Sequence, residues 1–277
     1  MKFTKMHGCG NDYIFINCIE NKIEDPSKVS QKVSDRHKGV GADGLILIHD
    51  SKVADFRMAM YNADGSEGKM CGNGIRCFAK YLYDNRLTKK KNITVETLSG
   101  IKEIDLEISN KKVEYITVRM GSPITKPDLI PVITDKDIII NEPFKVLEKE
   151  YFGTCISMGN PHLVIFVDDV VDIDIEKIGP EFENLEMFPD RVNTEFIKII
   201  DRNTVEMRVW ERGSGETQAC GTGACASVVA GVLNGLTDDE VRVRLLGGEL
   251  LVKYNQEENI VYMTGDAEEV YVGDYQI

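Results

Sequence analysis

The sequence lacks several features that would place it in a large functional class. It has no run of about 18 apolar residues, so it offers no candidate for a membrane-spanning helix. Its first residues, MKFTKMHGCGND, lack the apolar core of a secretory signal peptide. Basic residues number 33 against 46 acidic ones, and the net charge of −13 repels polyphosphate. We therefore expect a cytoplasmic protein without membrane or nucleic-acid partners.

Metal-binding and redox spacings are also missing. The seven cysteines include no Cys-x-x-Cys pair, and the four histidines are scattered. No Rossmann or P-loop fingerprint is present. An odd number of irregularly spaced cysteines without a secretion signal is typical of reduced thiols. We therefore expect neither a metal site nor a cofactor.

What the sequence does contain is an internal repeat. The block Cys71-Gly72-x-Gly74 recurs as Cys220-Gly221-x-Gly223, 149 positions later (220 − 71 = 149). The same offset relates Gly10-Asn11 to Gly159-Asn160, Met58 to Met207, Asn62 to Glu211, and Glu67 to Glu216. Chance identities would not share one offset over so long a stretch, so the pattern predicts two structurally similar halves.

A proline-rich segment separates the halves. Gly121-Ser122-Pro123 is followed by Pro127 and Pro131, and prolines at this density interrupt both helices and strands. This predicts an N-terminal domain over residues 1–120 and a C-terminal domain over residues 121–264. The tail, residues 265–277, falls outside the repeat and is expected to pack on the N-terminal domain.

Each half is predicted to consist mostly of short strands with one helix. Apolar or alternating runs rich in Ile, Val and Phe predict the strands. In the first half they cover residues 14–17, 45–49 and 55–61, with counterparts at 163–167, 194–199 and 204–210. Apolar residues at helical spacing follow Cys71, and an almost wholly apolar run follows Cys220, so a helix is predicted after each. We therefore predict an α/β fold of the α+β type, each half being a curled mixed sheet or barrel around a central helix.

The two repeated cysteines are thus placed at helix N-termini. The helix dipole and the unpaired N–H groups there lower the pKa of an adjacent thiol below its free value of about 8.5. The same N–H groups bind carboxylates, and the neighbouring glycines allow close approach. If the halves meet about a pseudo-twofold axis, Cys71 and Cys220 face each other across an interdomain cleft. One thiolate could then remove a proton from a carbon, and the other thiol could return one to the opposite face.

Other roles for these cysteines stay open on the residues alone. A cysteine beside glycine at a helix start is often simply a small buried residue. The pair could also form a redox disulfide, although the usual Cys-x-x-Cys arrangement is absent.

Four longer motifs resemble the diaminopimelate epimerase family. They are MHGCGNDYIFIN, YNADGSEGKMCGNGIRCFAKY, SMGNPH and WERGSGETQACGTGACAS, and the match continues to YMTGDAEEVY near the C-terminus. The resemblance implies a cofactor-independent enzyme that interconverts LL- and meso-2,6-diaminopimelate, in lysine and peptidoglycan-precursor synthesis. It also implies two similar α/β domains with the active site in the cleft between them, and a homodimer.

The resemblance assigns roles to individual residues. Cys71 and Cys220 match the two catalytic thiols, and His162 and Glu211 match residues that tune the pKa of those thiols. The matching substrate contacts are Asn11, Asn62, Gly72, Asn73, Asn160, Asn193, Glu211, Arg212, Gly221 and Thr222. Gly44 stands where some family members have Gln, so a side-chain contact with substrate is not implied there.

Two of these residues suit the distal end of such a substrate. Arg212 offers a planar fork to a carboxylate, and Glu211 can pair with an ammonium group. The alternative among enzymes is a proline-type racemase, whose substrate has no distal zwitterion. The alternative outside enzymes is a thiol redox or binding protein that merely keeps the fold.

Overall fold

The computed structural model describes residues 1–19 and 21–276, which form two compact units. The first unit comprises Met1–Arg119 and the C-terminal residues from Thr264 onward, and the second comprises Met120–Met263. Within the described residues, no helix is long and apolar enough to cross a membrane.

The first unit is a mixed sheet packed around one long helix. Its strands are β1 (Lys2–Gly8), β2 (Asn11–Asn17), β3 (Gly44–His49), β4 (Phe56–Asn62), β5 (Glu67–Gly68), β6 (Asn92–Thr97), β7 (Gly100–Ser109), β8 (Lys112–Gly121) and β18 (Glu268–Asp274). The strand order is β18-β1-β2-β3-β4-β6-β7-β8, in which β2–β3 and β4–β6 are parallel pairs and the others antiparallel. The C-terminal strand β18 thus pairs with β1 at one edge.

Two helices cover the faces of this sheet. Helix α2 (Gly72–Asp84) packs against β1, β2, β3 and β7, and helix α1 (Pro26–Ser34) packs against β3 and β4. Residues 13–16 of β2 and 45–48 of β3 are apolar and buried, as is typical of strands covered on both faces. Ile14 lies in the cluster that α1 covers, whereas the adjacent Phe15 stacks on Tyr81 of α2, with ring centroids 6.3 Å apart.

The second unit repeats this arrangement. Its strands are β9 (Glu142–Val146), β10 (Lys149–Ser157), β11 (Pro161–Phe166), β12 (Asn193–Asp201), β13 (Thr204–Glu211), β14 (Gly215–Glu216), β15 (Glu240–Leu245), β16 (Gly248–Asn255) and β17 (Ile260–Gly265). Its helices are α3 (Ile175–Glu183) and α4 (Gly221–Leu233). The strand order is β9-β10-β11-β12-β13-β15-β16, and its parallel pairs, β11–β12 and β13–β15, correspond to β2–β3 and β4–β6. The predicted mixed α/β fold built from an internal repeat is confirmed.

The sequence analysis missed helices α1 and α3. Helix α1 has only nine residues, and its buried apolar side chains are Val29 and Val33, one turn apart. Its start carried a recognisable signal, since Pro26 occupies the first turn and Asp25 accepts the Lys28 N–H at 3.2 Å. A helix this short owes its stability to packing on the sheet, which periodicity alone does not reveal.

Candidate active site

Each half places one cysteine at the first turn of its central helix. Cys71 is the N-cap of α2, and its Sγ accepts the Gly74 N–H at 3.4 Å. Cys220 is the N-cap of α4 and accepts the Gly223 N–H, also at 3.4 Å. Both sulfurs therefore satisfy a backbone donor that Ser or Asp satisfies at an ordinary helix start. Gly72-Asn73 and Gly221-Thr222 follow them in the first turns, where backbone N–H groups have no acceptor within the helix.

In the first half, two asparagines lie beside Cys71. The Cys71 thiol donates to Asn11 Oδ1 at 3.2 Å, and Asn73 Nδ2 donates to the same oxygen at 3.4 Å. The Asn11 side chain is anchored from its other end, because its Nδ2 donates to Asp43 Oδ2 at 2.6 Å. Asn11, Asn73 and Cys71, which the sequence analysis singled out separately, are thus brought together.

Asp43 belongs to an ion-pair cluster that the sequence analysis did not find. Arg36 Nη2 lies 2.8 Å from Asp12 Oδ1 and 2.9 Å from Asp43 Oδ1, and Lys5 Nζ lies 2.8 Å from Asp12 Oδ2. Burial raises the pKa of Asp12, but the hydrogen bonds from Arg36 and Lys5 outweigh it and hold the pKa below its ordinary value. The cluster fixes the carboxylate that orients Asn11.

Tyr13 is a second residue near Cys71 that the sequence analysis missed. Burial raises the pKa of Tyr13 well above its usual value, and the neighbouring Cys71 raises it further. Tyr13 therefore remains a neutral phenol. It occupies the repeat position of His162 (162 − 13 = 149), so the two halves place different chemistry at this point.

Gly44 and Asn62 lie opposite each other on β3 and β4. A Cβ on Gly44 would lie 2.3 Å from the Tyr61 carbonyl oxygen, so this backbone leaves no room for a side chain there. Asn62 is only partly buried, and its Nδ2 donates to Ser66 Oγ at 3.0 Å. Its role in substrate binding stays a prediction.

In the second half, Cys220 lies in a hydrogen-bonded group of four other side chains. Thr222 Oγ1 is 3.5 Å from the Cys220 sulfur and 3.3 Å from Asn160 Nδ2. His162 contacts Asn160 Oδ1 through Nε2 at 3.0 Å and Glu195 Oε1 through Nδ1 at 2.7 Å. Three residues predicted from the sequence thus join Cys220, and Glu195 is an addition.

The ionisation of Cys220 differs from the sequence-based expectation. Burial raises the pKa of Cys220 well above its usual value, and the negative charges of Glu211 and Glu195 raise it further. The hydrogen bonds from Thr222 and from the helix N–H lower it by less. A lowered pKa was expected at the helix N-terminus, and that expectation is wrong here because lost hydration and two carboxylates outweigh the helix-terminal donors. Cys220 is therefore a thiol before substrate binds.

Glu211 is the carboxylate best suited to exchange a proton with this thiol. Burial raises the pKa of Glu211, and hydrogen bonds from Thr217 and Cys220 lower it only in part. The Thr217 hydroxyl donates to Glu211 Oε1. A carboxyl whose pKa is raised toward neutrality is a better match for a thiol than an exposed one.

Asn193 and Arg212 hold the loop that follows β13. Asn193 is buried; its Nδ2 donates to the Pro161 carbonyl at 2.8 Å, and its Oδ1 accepts the Arg212 N–H at 3.1 Å. One guanidinium nitrogen of Arg212, Nη1, donates to the Asp190 carbonyl at 2.8 Å. The structure thus shows a positioning role for Asn193, and contact of either residue with substrate stays a prediction.

His162, Glu195 and Cys220 offer nitrogen, oxygen and sulfur atoms within 4.8 Å of one another. Such a set could be taken for a metal centre. However, both ring nitrogens of His162 are engaged, one with Glu195 and the other with Asn160. We therefore describe the group as a hydrogen-bonded cluster and assign it no metal.

The missed residues carried weak sequence signals. Glu195 lies in the strand segment NTEFIKII, where an acidic residue interrupts an apolar pattern. Its repeat counterpart is Ile46 (195 − 46 = 149), so alignment of the halves would have exposed the substitution of a carboxylate for a hydrocarbon. That comparison identifies an unusual residue, but not its neighbours.

Comparison with solved structures defines the structural class. A hydroxyproline epimerase from Agrobacterium vitis, with bound trans-4-hydroxy-L-proline, matches with a TM-score of 0.71 and 13% identity, over 99% of this chain and 90% of that chain. The chain thus has the two-half α/β fold of this class.

Comparison with sequences defines the family. The family model described as Diaminopimelate epimerase matches residues 3–126 and 154–270. A diaminopimelate epimerase from Agathobacter rectalis is 56% identical over 284 residues, covering 100% of both chains, and one from Acetivibrio thermocellus is 54% identical over 277 residues, covering 100% of this chain and 99% of the relative. The chain belongs to the diaminopimelate epimerase family and is an isomerase, which confirms the resemblance found in its motifs.

Proposed function

We propose that the protein interconverts LL- and meso-2,6-diaminopimelate, with Cys71 and Cys220 as its two proton carriers. The observation that carries the proposal is the matched placement of these cysteines, each capping the central helix of its half. One thiolate removes the α-proton from one face of the carbon, and the other thiol delivers its own proton to the opposite face. The configuration of the carbon is thereby inverted, and the oxidation state of the substrate does not change.

The two first turns supply the anion site for the reacting carboxylate. Gly72-Asn73 and Gly221-Thr222 present helix N-terminal N–H groups, which bind negative charge. Charge that develops on the α-carbon and its carboxylate during proton removal is stabilised by these fixed dipoles. The thiols and helix termini together provide base, acid and anion site, so the reaction as proposed needs no cofactor.

Cys220 acts as a base only after it has lost its own proton. Glu211 is the acceptor we assign, because burial raises its pKa and it shares a hydrogen bond with Cys220. The proton leaves Sγ for the Glu211 carboxylate, and the Thr222 hydroxyl, 3.5 Å from Sγ, can donate to the thiolate that remains. His162 lies in the same cluster and acts on it through Asn160.

The distal end of the substrate distinguishes this proposal from a proline-type racemase. A diaminopimelate has a second ammonium and carboxylate, and Arg212 is the cation that we assign to that carboxylate. The proline-type alternative shares the fold, but its substrate presents no distal charge for Arg212 to bind.

Arg212→Lys will therefore impair catalysis although it keeps the positive charge. A lysine cannot form the bidentate fork with a carboxylate, so we expect kcat/KM for diaminopimelate to fall by about tenfold or more, a loss of about 1.4 kcal/mol. Steady-state kinetics with each stereoisomer measure this. Arg191→Lys is the matched control, since Arg191 pairs with Glu183 in the same region. An unchanged kcat/KM in Arg212→Lys would remove Arg212 from the site.

We also propose that the protein is a cytoplasmic homodimer. The C-terminal strand β18 leaves Val270, Tyr271 and Val272 with 50%, 42% and 49% of their surfaces exposed. Apolar side chains exposed on an edge strand favour pairing with a second copy of the chain. Sedimentation velocity should give a species of twice the chain mass, and Val272→Lys should shift it toward the monomer. A monomer at all concentrations would contradict the proposal.

A further inference from the structure

Two buried side chains at equivalent positions of the halves differ in chemistry. Glu195 and Ile46 have no exposed surface. A Cβ placed on Gly223 would lie 2.4 Å from Glu195 Oε1, and a Cβ on Gly74 would lie 2.7 Å from Ile46 Cδ1. Each side chain therefore lies in the same place, against the first turn of the central helix. Because one half fills this place with hydrocarbon, the architecture itself does not require a carboxylate there.

The carboxylate of Glu195 is costly to keep. Removing a carboxylate from water is unfavourable unless partners replace its hydration. Its Oε1 contacts His162 Nδ1 at 2.7 Å, while Oε2 is buried and makes no hydrogen bond with any residue in the described part of the chain. An isoleucine would avoid this cost, so the presence of Glu195 indicates a role in the site.

The contacts of His162 define the direction of its hydrogen bonds. Nδ1 faces the carboxylate of Glu195, and Nε2 faces the carbonyl oxygen of Asn160. Both neighbouring atoms are acceptors, so each ring nitrogen is placed to donate.

The same direction continues to the catalytic sulfur. Asn160 Oδ1 accepts from the ring, which turns Nδ2 toward Thr222 Oγ1 at 3.3 Å. Because the Thr222 oxygen accepts this hydrogen bond, its own hydrogen is left to point to Cys220 Sγ at 3.5 Å. The chain that starts at Glu195 thus ends in a donor aimed at the Cys220 sulfur.

The chain of hydrogen bonds in the first half runs in the opposite direction, away from the sulfur. There the Cys71 thiol donates to Asn11 Oδ1, and Asn11 donates onward to Asp43. Each sulfur accepts a helix N–H. Toward the asparagine at its repeat position, however, the Cys71 sulfur gives a hydrogen bond, whereas the Cys220 sulfur receives one through Thr222.

We propose that Glu195 is a positioning residue for Cys220, because it sets the direction of the hydrogen-bond chain that ends at the Cys220 sulfur. The inference rests on the proposed role of Cys220 as a proton carrier. Glu195 acts through the intervening side chains and touches no substrate atom. Through this hydrogen-bond chain Glu195 favours the thiolate at Cys220, in opposition to its own negative charge, which by itself raises the pKa of that thiol.

Replacement of Glu195 by Gln should reverse the chain. Without the carboxylate, Nδ1 of His162 faces a neutral amide, and Nε2 becomes an acceptor. Asn160 then turns its Nδ2 to the ring, and the Thr222 hydroxyl donates to Asn160 instead of to the sulfur. Among the residues that the structure describes, the charged or titratable side chains that face Cys220 are Glu195 on β12, Glu211 on β13 and His162 on β11.

The sign of the change separates positioning from simple charge. If Glu195 acted only through its negative charge, its loss would lower the pKa of Cys220. In the proposed arrangement, the sulfur also loses the hydrogen bond from Thr222, and this loss outweighs the removal of the charge. The loss of a hydrogen bond to the charged form raises the pKa of the thiol.

The test is the pH dependence of alkylation by iodoacetamide, followed at each cysteine by peptide mass spectrometry. In Glu195→Gln, we expect the midpoint for Cys220 to rise by about one pH unit, which is about tenfold less alkylation at a pH below both midpoints. Cys71 in the same sample is the internal reference and should keep its midpoint. Glu206→Gln is the matched control, because Glu206 is a partly exposed glutamate on β13 whose partner is Lys198.

A double-mutant cycle tests whether the effect passes through the hydroxyl. Thr222→Val should raise the Cys220 midpoint by itself, and Glu195→Gln should then add little. Glu195→Ile, which copies Ile46 of the other half, provides a second variant should the glutamine variant fail to fold. An unchanged or lowered Cys220 midpoint in the folded variants, or additive effects in the cycle, would overturn the inference. The readout needs no substrate, so a failed epimerase assay and a failed inference are separate results.

Discussion

Cys71→Ala and Cys220→Ala will each abolish epimerisation, while at least one of them still exchanges the α-hydrogen of diaminopimelate with solvent. Inversion needs a base on one face of the carbon and an acid on the other, and either deletion leaves only one face served. The remaining thiol, once ionised, can remove a proton and return one from solvent to the same face. The product would be deuterated without a change of configuration, and each variant should act on one stereoisomer only.

Proton NMR in heavy water, started separately from each stereoisomer, measures exchange and inversion together. Because the two thiols act as a unit, the double variant should lose little more epimerisation than either single one. Cys155→Ala is the matched control, since Cys155 is a fully buried thiol in the core of the second half. If either single variant kept more than about a hundredth of the inversion rate, the loss would be under ~2.7 kcal/mol, too small for an obligatory proton carrier.

Glu211→Gln should produce the next largest loss, about 10²- to 10⁴-fold in kcat/KM, the usual range for removal of a group that transfers a proton. Glutamine cannot accept the proton that Cys220 must release.

Glu211 should also shape the pH profile of the native enzyme. Burial raises the pKa of Glu211, so this carboxyl is protonated at a pH where an exposed glutamate is ionised. Activity should therefore rise with pH through a limb above the ordinary glutamate value of about 4.3.

The pH dependence of kcat/KM, measured in both directions of the reaction, tests this assignment. Glu206→Gln, on the same strand, should keep both the rate and the acid limb. In Glu211→Gln the limb should disappear along with most of the activity. A variant that retained the limb, or that lost less than tenfold in rate, would show that another group takes the proton from Cys220.

Much of the fold could be predicted because the chain repeats. The blocks that begin at Cys71 and Cys220 share one offset, and the apolar runs beside them have the period of a helix or a strand. Periodicity of this kind depends on which face of an element is buried, and it is present in the sequence itself. The mixed α/β class and the central helix of each half followed from it. Helix α1 did not, because nine residues with two buried valines give too weak a period.

The candidate site was predictable only in part. Cys71, Cys220, Asn160 and His162 stood out through their motifs, and the structure brings the last three together. Glu195 could not be linked to Cys220, because it lies 25 positions before that cysteine in the sequence (220 − 195 = 25). Contacts at such a separation depend on strand register and on how closely a helix approaches the strand. Here the approach is so close that a Cβ on Gly223 would lie 2.4 Å from Glu195 Oε1.

By itself, the sequence determined that this protein has two similar halves, each with a cysteine at the start of its central helix. Both conclusions follow from patterns in the sequence. The repeat identifies the two halves, and the residues that cap a helix lie within a few positions of the apolar residues that it buries. Only the tertiary structure decided the state of the second thiol. A helix N-terminus alone favours a thiolate, but burial and the carboxylates of Glu211 and Glu195 raise the pKa of Cys220. Those carboxylates come from β12 and β13, and their effect depends on distance and lost hydration, which arise only when the strands pack against the helix.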